Sequence, residues 1–349
     1  MPKAPPTWLE REILAQGAAL RDRAGAGAQA AEAAAAALRD GVDYLLVAAR
    51  GSSDNAARYA QYLLGAEAGL TVALAAPWLY AEPRQAPRIG AGAVLGISQS
   101  GRSPDIVAVL AAARAQARPT AAITNDVGSP LAQAAELVIP LAVGPERSVA
   151  ATKTYTASLH AVAQLAAALD PDGRVASGLG KLPNLVTAIA AEQLATRRRF
   201  EALESAARIV VVGRGFAYST AHETALKLRE LSGIAAEAFS PPDLLHGPVA
   251  ALDRTTALWV IAPGPDGGGE MAALVRTLRQ RSGPAVIVGS DSDVLELADV
   301  PVPLPERLAD WAAAFVAVLP AQAAALWLAE RLGVEVDHPH SLEKVTLTR

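Results

Sequence analysis

Three short strand-like runs in the first half of the chain return in the second half at one fixed spacing. Leu45–Gly51 (LLVAARG) reappears as Ile209–Gly215 (IVVVGRG), Val94–Ile97 as Leu258–Ile261, and Ala121–Thr124 as Ala285–Val288, each 164 residues later. A constant offset over three runs is the mark of a duplicated unit. In the first copy each apolar run stops at a polar turn, and after the first two a helical stretch follows, from about Asn55 and from about Pro104. Strands that alternate with helices specify a parallel sheet covered on both faces. The reading is α/β, with two tandem three-layer domains of the flavodoxin-like or Rossmann-like kind. The expected boundaries are a helical segment over 1–36, a first domain over 37–180, a linker helix over 181–199, a second domain over 200–332 and a tail over 333–349. Gly25 and Gly27 are expected to interrupt the first helical segment.

Composition narrows the function classes. The chain is 52% hydrophobic but only 4% aromatic, so much of its apolar content is alanine, which favours closely packed helices. Acidic residues (35) slightly outnumber basic ones (31) and no long basic run occurs, which argues against a nucleic-acid partner. The absence of cysteine removes disulfides, thiolate metal sites and cysteine nucleophiles. The opening residues MPKAPPTWLEREIL lack the apolar core of a signal peptide, so a cytoplasmic location is expected. Trp311–Ala329 is nearly long enough to span a membrane, but Pro320, Gln322 and the many alanines favour a buried core or interface helix, and no membrane partner is expected.

The two copies differ at one informative place. The run Ser98-Gln99-Ser100-Gly101-Arg102-Ser103 lies between a strand and a helix, and Ala262, Pro263, Gly264 and Gly267 stand opposite Ser98, Gln99, Ser100 and Ser103. Ligands of open α/β sheets bind at the carboxyl ends of the strands. Amides at a helix start, completed by hydroxyls and a carboxamide, suit an anion such as a phosphate. Ser52 and Ser53 follow the neighbouring strand and join the same candidate set. Serines that merely cap a helix are the plain alternative. No Walker A lysine motif is present, so a nucleotide phosphate is not expected.

Glu223, Lys227 and Glu230 recur at i, i+4 and i+7, which places them on one helical stripe. Such a stripe is either a solvated Glu–Lys face or a ligand-facing acid–base set. His246 precedes Gly-Pro in a polar loop, and Lys344 lies near the end of the chain. By themselves these two read as ordinary surface residues. Asp337, His338 and His340 have a superficial metal-ligand look, but without a further ligand cluster no metal and no cofactor are expected.

Together, Arg50-Gly51-Ser52-Ser53, Ile97–Gly101 (ISQSG), Val149–Lys153 (VAATK), Glu223–Leu231 (ETALKLREL), His246-Gly247-Pro248 and Ser341–Thr346 (SLEKVT) form a set, in order, over almost the whole chain. The set resembles the double-SIS phosphosugar isomerase family, in particular the isomerase half of glutamine–fructose-6-phosphate amidotransferase. The amidotransferase carries an N-terminal glutaminase domain with a cysteine nucleophile, and neither has a counterpart here. The resemblance therefore points to glutamine-independent relatives, foremost a SIS-type glucosamine-6-phosphate deaminase that yields fructose 6-phosphate and ammonia. A fructosamine-6-phosphate deglycase and a non-catalytic phosphosugar-binding SIS protein are the alternatives.

The resemblance also implies roles. Ser52, Ser53, Ser98, Gln99, Ser100 and Ser103 would hold the 6-phosphate, and Gly51, Val149, Ala150, Thr152 and Lys153 would touch the sugar. Glu230 would move a proton between C1 and C2, with Glu223 and Lys227 beside it. His246 would assist ring opening in the neighbouring subunit's site, which implies a homodimer. Lys344 would contact the open-chain carbonyl or form a Schiff base with it. Arg102 stands where the amidotransferase has an acidic residue and Ala151 where it has serine. His338 and His340 also replace other polar residues, so the resemblance leaves the amino sugar open.

Overall fold

The computed structural model describes residues 5–39, 41–81, 86–264, 268–306, 308–337 and Lys344. Among them are two five-stranded sheets, all of whose pairings are parallel. The first contains β1 (Tyr44–Ala49), β2 (Thr71–Leu74), β3 (Gly92–Ile97), β4 (Thr120–Thr124) and β5 (Leu137–Pro140), in the order β2-β1-β3-β4-β5. The second contains β6 (Arg208–Gly213), β7 (Ala235–Phe239), β8 (Thr256–Ala262), β9 (Ala285–Gly289) and β10 (Val300–Pro303), in the order β10-β9-β8-β6-β7. Read from the other edge, this is the same order. Both sheets are doubly wound about their second pairing, as the repeat requires.

The helices are α1 (Trp8–Arg39), α2 (Ser52–Ala68), α3 (Pro104–Ala115), α4 (Pro130–Ala134), α5 (Lys153–Leu169), α6 (Arg174–Leu179) and α7 (Leu182–Ala195). The second half adds α8 (Phe216–Ser232), α9 (Pro241–Leu245), α10 (Gly268–Arg279), α11 (Ser292–Leu295), α12 (Asp310–Ala317) and α13 (Leu319–Leu332). The 164-residue offset reaches beyond the strands. It carries both ends of α2 onto α8, and α3 onto α10. The described residues form two compact units. One holds the first sheet, most of α1 and Lys344; the other holds the second sheet, the opening turns of α1 and the loop Arg147–Thr152.

Every residue of β3, β4, β8 and β9 is buried. Their near-continuous apolar sequence, with no alternation, is what a strand covered on both faces demands. Fully burying one Val or Ile of such a strand contributes roughly 1.5–3 kcal/mol.

The sequence expectations need two adjustments. First, α1 runs unbroken through Gly25 and Gly27. A Cβ on Gly27 would lie 2.5 Å from Gln164 Oε1 and 2.7 Å from Arg23 Nη2, so the glycine leaves room for a buried hydrogen bond between those two side chains. The helix accepts the propensity cost of about 1 kcal/mol there. Second, the apolar stretch from Trp311 divides into α12 and α13 at Val318. Pro320 has no N–H to continue the ladder and is accommodated in the first turn of α13. By length and composition Asp310–Leu332 could cross a membrane, yet 94% of its most apolar window is buried inside the fold. In the second-domain unit α12 and α13 both pack against α8.

Candidate active site

In the first domain, β1 and β3 are neighbours in register, Ala49 beside Ile97, so the segments that follow them emerge side by side. After β1 the chain turns at Gly51 (φ 57°) and enters α2 at once, which makes Ser52 and Ser53 the first residues of that helix. After β3 it runs through Ser98–Ser103 into α3, with Pro104 in the first turn. Two helices, of 17 and 12 residues, thus begin at adjacent strand ends. Their first-turn amides and dipoles favour an anion.

The loop is shaped by its own polar atoms. Ser98 is buried, and its Oγ accepts the Gly101 N–H at 3.2 Å. Ser100 Oγ accepts the Arg102 N–H at 3.3 Å. Gly101 has φ +62°, and a Cβ there would lie 2.0 Å from Ser129 Oγ, so only glycine fits. The Gln99 carbonyl is fixed by the Asn125 N–H at 3.1 Å, and the residue is half-buried. Ser103 occupies the N-cap of α3, yet its side chain makes no capping hydrogen bond. Plain helix capping therefore does not account for this serine.

Two ion pairs flank the loop. Arg102 pairs with Asp126 at 3.2 Å, both exposed, which contributes little. Arg50 donates to Asp105 at 2.9–3.0 Å. Asp105 is buried while Arg50 is half exposed, so a cation stands at the mouth of the strand ends. Sequence reasoning passed over this pair. An Arg directly after β1 and an Asp directly after Pro104 were the available signal.

The Val149–Lys153 motif opens α5. Ala150 and Thr152 are buried and Val149 is half-buried. Lys153, also buried, donates from Nζ to the Pro145 carbonyl at 2.6 Å. Preceding the motif, the Arg147 and Ser148 amides donate to the buried carboxylate of Glu12 at 2.6 and 3.1 Å. Glu146 lies just before them. Its side chain is fully buried and accepts from Lys344 Nζ at 2.6 Å.

The second domain holds the charged stripe. α8 follows β6 through Gly215 (φ 59°) and buries most of its faces. Glu223 and Lys227 are fully buried and 3.5 Å apart, while Glu230, 27% exposed, accepts a hydrogen bond from the same ammonium. A solvated face is excluded for Glu223 and Lys227. His246 lies at the C-terminal end of α9 with its side chain exposed.

A cavity of about 650 Å³ opens at the strand ends of this domain, walled by Ile261, Pro263, Phe216, Met271 and Leu274. Arg214 and Glu270 form an ion pair at its lining. At the positions of the first domain's hydroxyls it presents Ala262 and Gly264, which offer no anion ligand from their side chains. Asp337 is not free to serve a metal: its carboxylate caps α1 through the Trp8 and Leu9 amides at 2.8 and 3.2 Å. His338, His340, Gly267 and the other residues of the Ser341–Thr346 motif lie outside the described residues. No cluster of metal-ligating side chains occurs among the described residues.

Comparison with known proteins identifies the two domains. The SIS domain profile matches residues 42–168 and 202–330, one match per sheet. The glutamine–fructose-6-phosphate aminotransferase (isomerizing) of Thermus thermophilus is 32% identical over 316 residues, 87% of this chain and 52% of that protein. The chain thus spans about half the length of the curated relatives it matches. The C-terminal domain of glucosamine-fructose-6-phosphate aminotransferase from Francisella tularensis superposes with TM-score 0.84 at 22% identity, covering 97% of this chain and 100% of that one. A glucosamine-6-phosphate deaminase from Thermotoga maritima superposes with TM-score 0.75 at 21% identity, covering 98% and 100%. At these identities the two structural matches establish the fold.

Proposed function

The chain belongs to the SIS domain family, with two copies of the domain and homology to the isomerase part of glutamine–fructose-6-phosphate aminotransferase, and from that premise we propose that it is a glucosamine-6-phosphate deaminase with isomerase chemistry. Its substrate is an amino-hexose 6-phosphate and its products are fructose 6-phosphate and ammonia. The observation that carries the reading is the Glu223–Lys227–Glu230 stripe. A buried lysine between two carboxylates is a poor way to stabilise a helix, because desolvation offsets the attraction. It is a good way to hold an acid–base group ready, and Glu230 is the member that a ligand can reach.

The chemistry follows in balanced steps. His246 helps to open the ring. Glu230 takes the C2 proton of the open-chain aldehyde and returns it to C1, while O1 gains a proton and the C2 amine gives one up, which leaves a hydroxymethyl group at C1 and an imine at C2. Water adds to the imine and ammonia departs, which gives the ketose. Lys344 meets the carbonyl end. The phosphate is anchored by Ser52, Ser53, Ser98, Gln99, Ser100 and Ser103, with the two helix starts supplying amides, while Gly51 and the Val149–Lys153 motif contact the sugar. The half-exposed Arg50 supports an anion at the same place. The working unit in this reading is a homodimer, since His246 is assigned to the neighbouring subunit's site and is exposed on its own chain.

The test is a panel of amino-sugar phosphates assayed for ammonia and ketose 6-phosphate. Release of both from glucosamine 6-phosphate supports the proposal. Cleavage of a fructosamine 6-phosphate with glucosamine 6-phosphate untouched refutes it in favour of a deglycase. Binding without any product refutes it in favour of a phosphosugar sensor.

A further inference from the structure

Glu146 has no part in the reaction as written, yet it is more fully engaged than a loop glutamate needs to be. It sits between β5 and α5 with no exposed side-chain surface. One oxygen accepts the Thr154 N–H at 3.0 Å, in the first turn of α5. The other accepts Thr154 Oγ1 at 2.6 Å and Lys344 Nζ at 2.6 Å. An exposed ion pair contributes about 1 kcal/mol or less and does not fix a lysine in place. Here the ammonium reaches a carboxylate that has already left water, beside the N-terminus of a 17-residue helix that favours negative charge.

We infer that Glu146 is a positioning residue, which seats the Lys344 ammonium and so fixes where that amine stands. The inference rests on the proposed role of Lys344 in the reaction. Burial alone would raise the Glu146 pKa. The Lys344 charge and the hydrogen bonds from Lys344 and Thr154 outweigh burial and leave it below its ordinary value. The carboxylate is therefore ionised at neutral pH, and Lys344 is its counter-charge. Lys344 is only 23% exposed on this seat.

The seat can be tested without substrate. The intact protein is treated with limiting acetic anhydride at pH 8, and acetylation of Lys344 is compared by peptide mass spectrometry with that of the exposed Lys181 in the same molecules. Lys344 is expected to react about tenfold more slowly than Lys181, because its ammonium is 23% exposed and must first leave a hydrogen bond to a buried carboxylate, a charge-assisted contact of that scale. Glu146→Gln should bring Lys344 to within about threefold of Lys181. Glu146→Asp should give an intermediate rate, because its carboxylate is kept but withdrawn by one methylene. If Glu146→Gln does not fold, Glu146→Asp carries the test alone.

Equal labelling of the two lysines in the wild type, or no change at Lys344 in a folded variant, overturns the inference. Because labelling needs no turnover, a failed ammonia assay leaves the seat standing, and a labelling result can overturn the seat even where ammonia is released. In active protein Glu146→Asp should lower kcat more than it raises KM.

Discussion

Lys227→Met is the perturbation that the geometry defines most sharply. The lysine is fully buried, with one carboxylate at 3.5 Å that is also fully buried and a second, 27% exposed, in hydrogen-bond contact. At an effective dielectric of about 20, a pair at that distance attracts by about 5 kcal/mol. The Glu230 contribution is smaller than its contact would suggest, because solvent screens it. Methionine keeps the length and the packing but removes the charge. Removal of one partner from a buried pair costs about 3–5 kcal/mol, since the other charge stays behind. Expected is a loss of about 3 kcal/mol or more. At about 2–4 °C per kcal/mol for a domain of this size, Tm should fall by about 6 °C or more. The assay is urea and thermal unfolding of wild type, Lys227→Met and the double variant Glu223→Gln/Lys227→Met at pH 7. The double variant should recover at least half of the loss. A single variant within about 1 kcal/mol of wild type, or a double variant no better than the single one, would refute the reasoning.

Gly101→Ala should weaken the candidate phosphate loop, because φ is +62° and the new Cβ would meet Ser129 Oγ at 2.0 Å; a phosphosugar dissociation constant raised by about tenfold or more is expected by calorimetry, at a stability cost of about 1–3 kcal/mol. Glu146 contributes stability that is present above the ordinary glutamate value near 4.5 and is lost as pH falls through its lower folded value. The stability gap between wild type and Glu146→Gln should therefore narrow in urea melts below about pH 4.5; a gap that widens in acid contradicts the assignment. Light scattering at micromolar concentration should give twice the chain mass, and a fully active monomer would remove His246 from the neighbouring site.

The six inner strands and the register of α8 were legible because each leaves a periodic trace, whereas the four short edge strands β2, β5, β7 and β10 and the pairing order were not read from the sequence. Continuous apolar runs mark strands buried on both faces, a constant offset marks duplication, and i, i+4, i+7 spacing marks one helix stripe. The burial of Lys227 was not legible, since the same spacing describes a solvated face. Contacts that join distant residues leave no periodic trace at all. Arg23 on α1 is buried against His160 and Gln164 of α5 and against the carbonyl of Leu141. Burial, reinforced by the Arg23 charge, pushes His160 down to about 3, so the ring is neutral and fits as an acceptor. Nothing in the sequence near Arg23 announces this, and Gly27, which makes room for it, looked like a helix breaker. Glu146 and Glu12 went unseen for the same reason, because their partners lie 198 and 135 residues away.

The most direct measurement is ammonia release and fructose 6-phosphate formation from glucosamine 6-phosphate by purified wild type and Glu230→Gln. Phosphosugar binding is followed in parallel by calorimetry. The account predicts that wild type forms both products in equal amounts. It predicts that Glu230→Gln loses about a hundredfold or more in kcat, the scale of a general base, while its affinity for the phosphosugar changes little. Wild type that forms no ammonia from any hexosamine 6-phosphate, or a Glu230→Gln variant that keeps more than about a tenth of the rate, would contradict it.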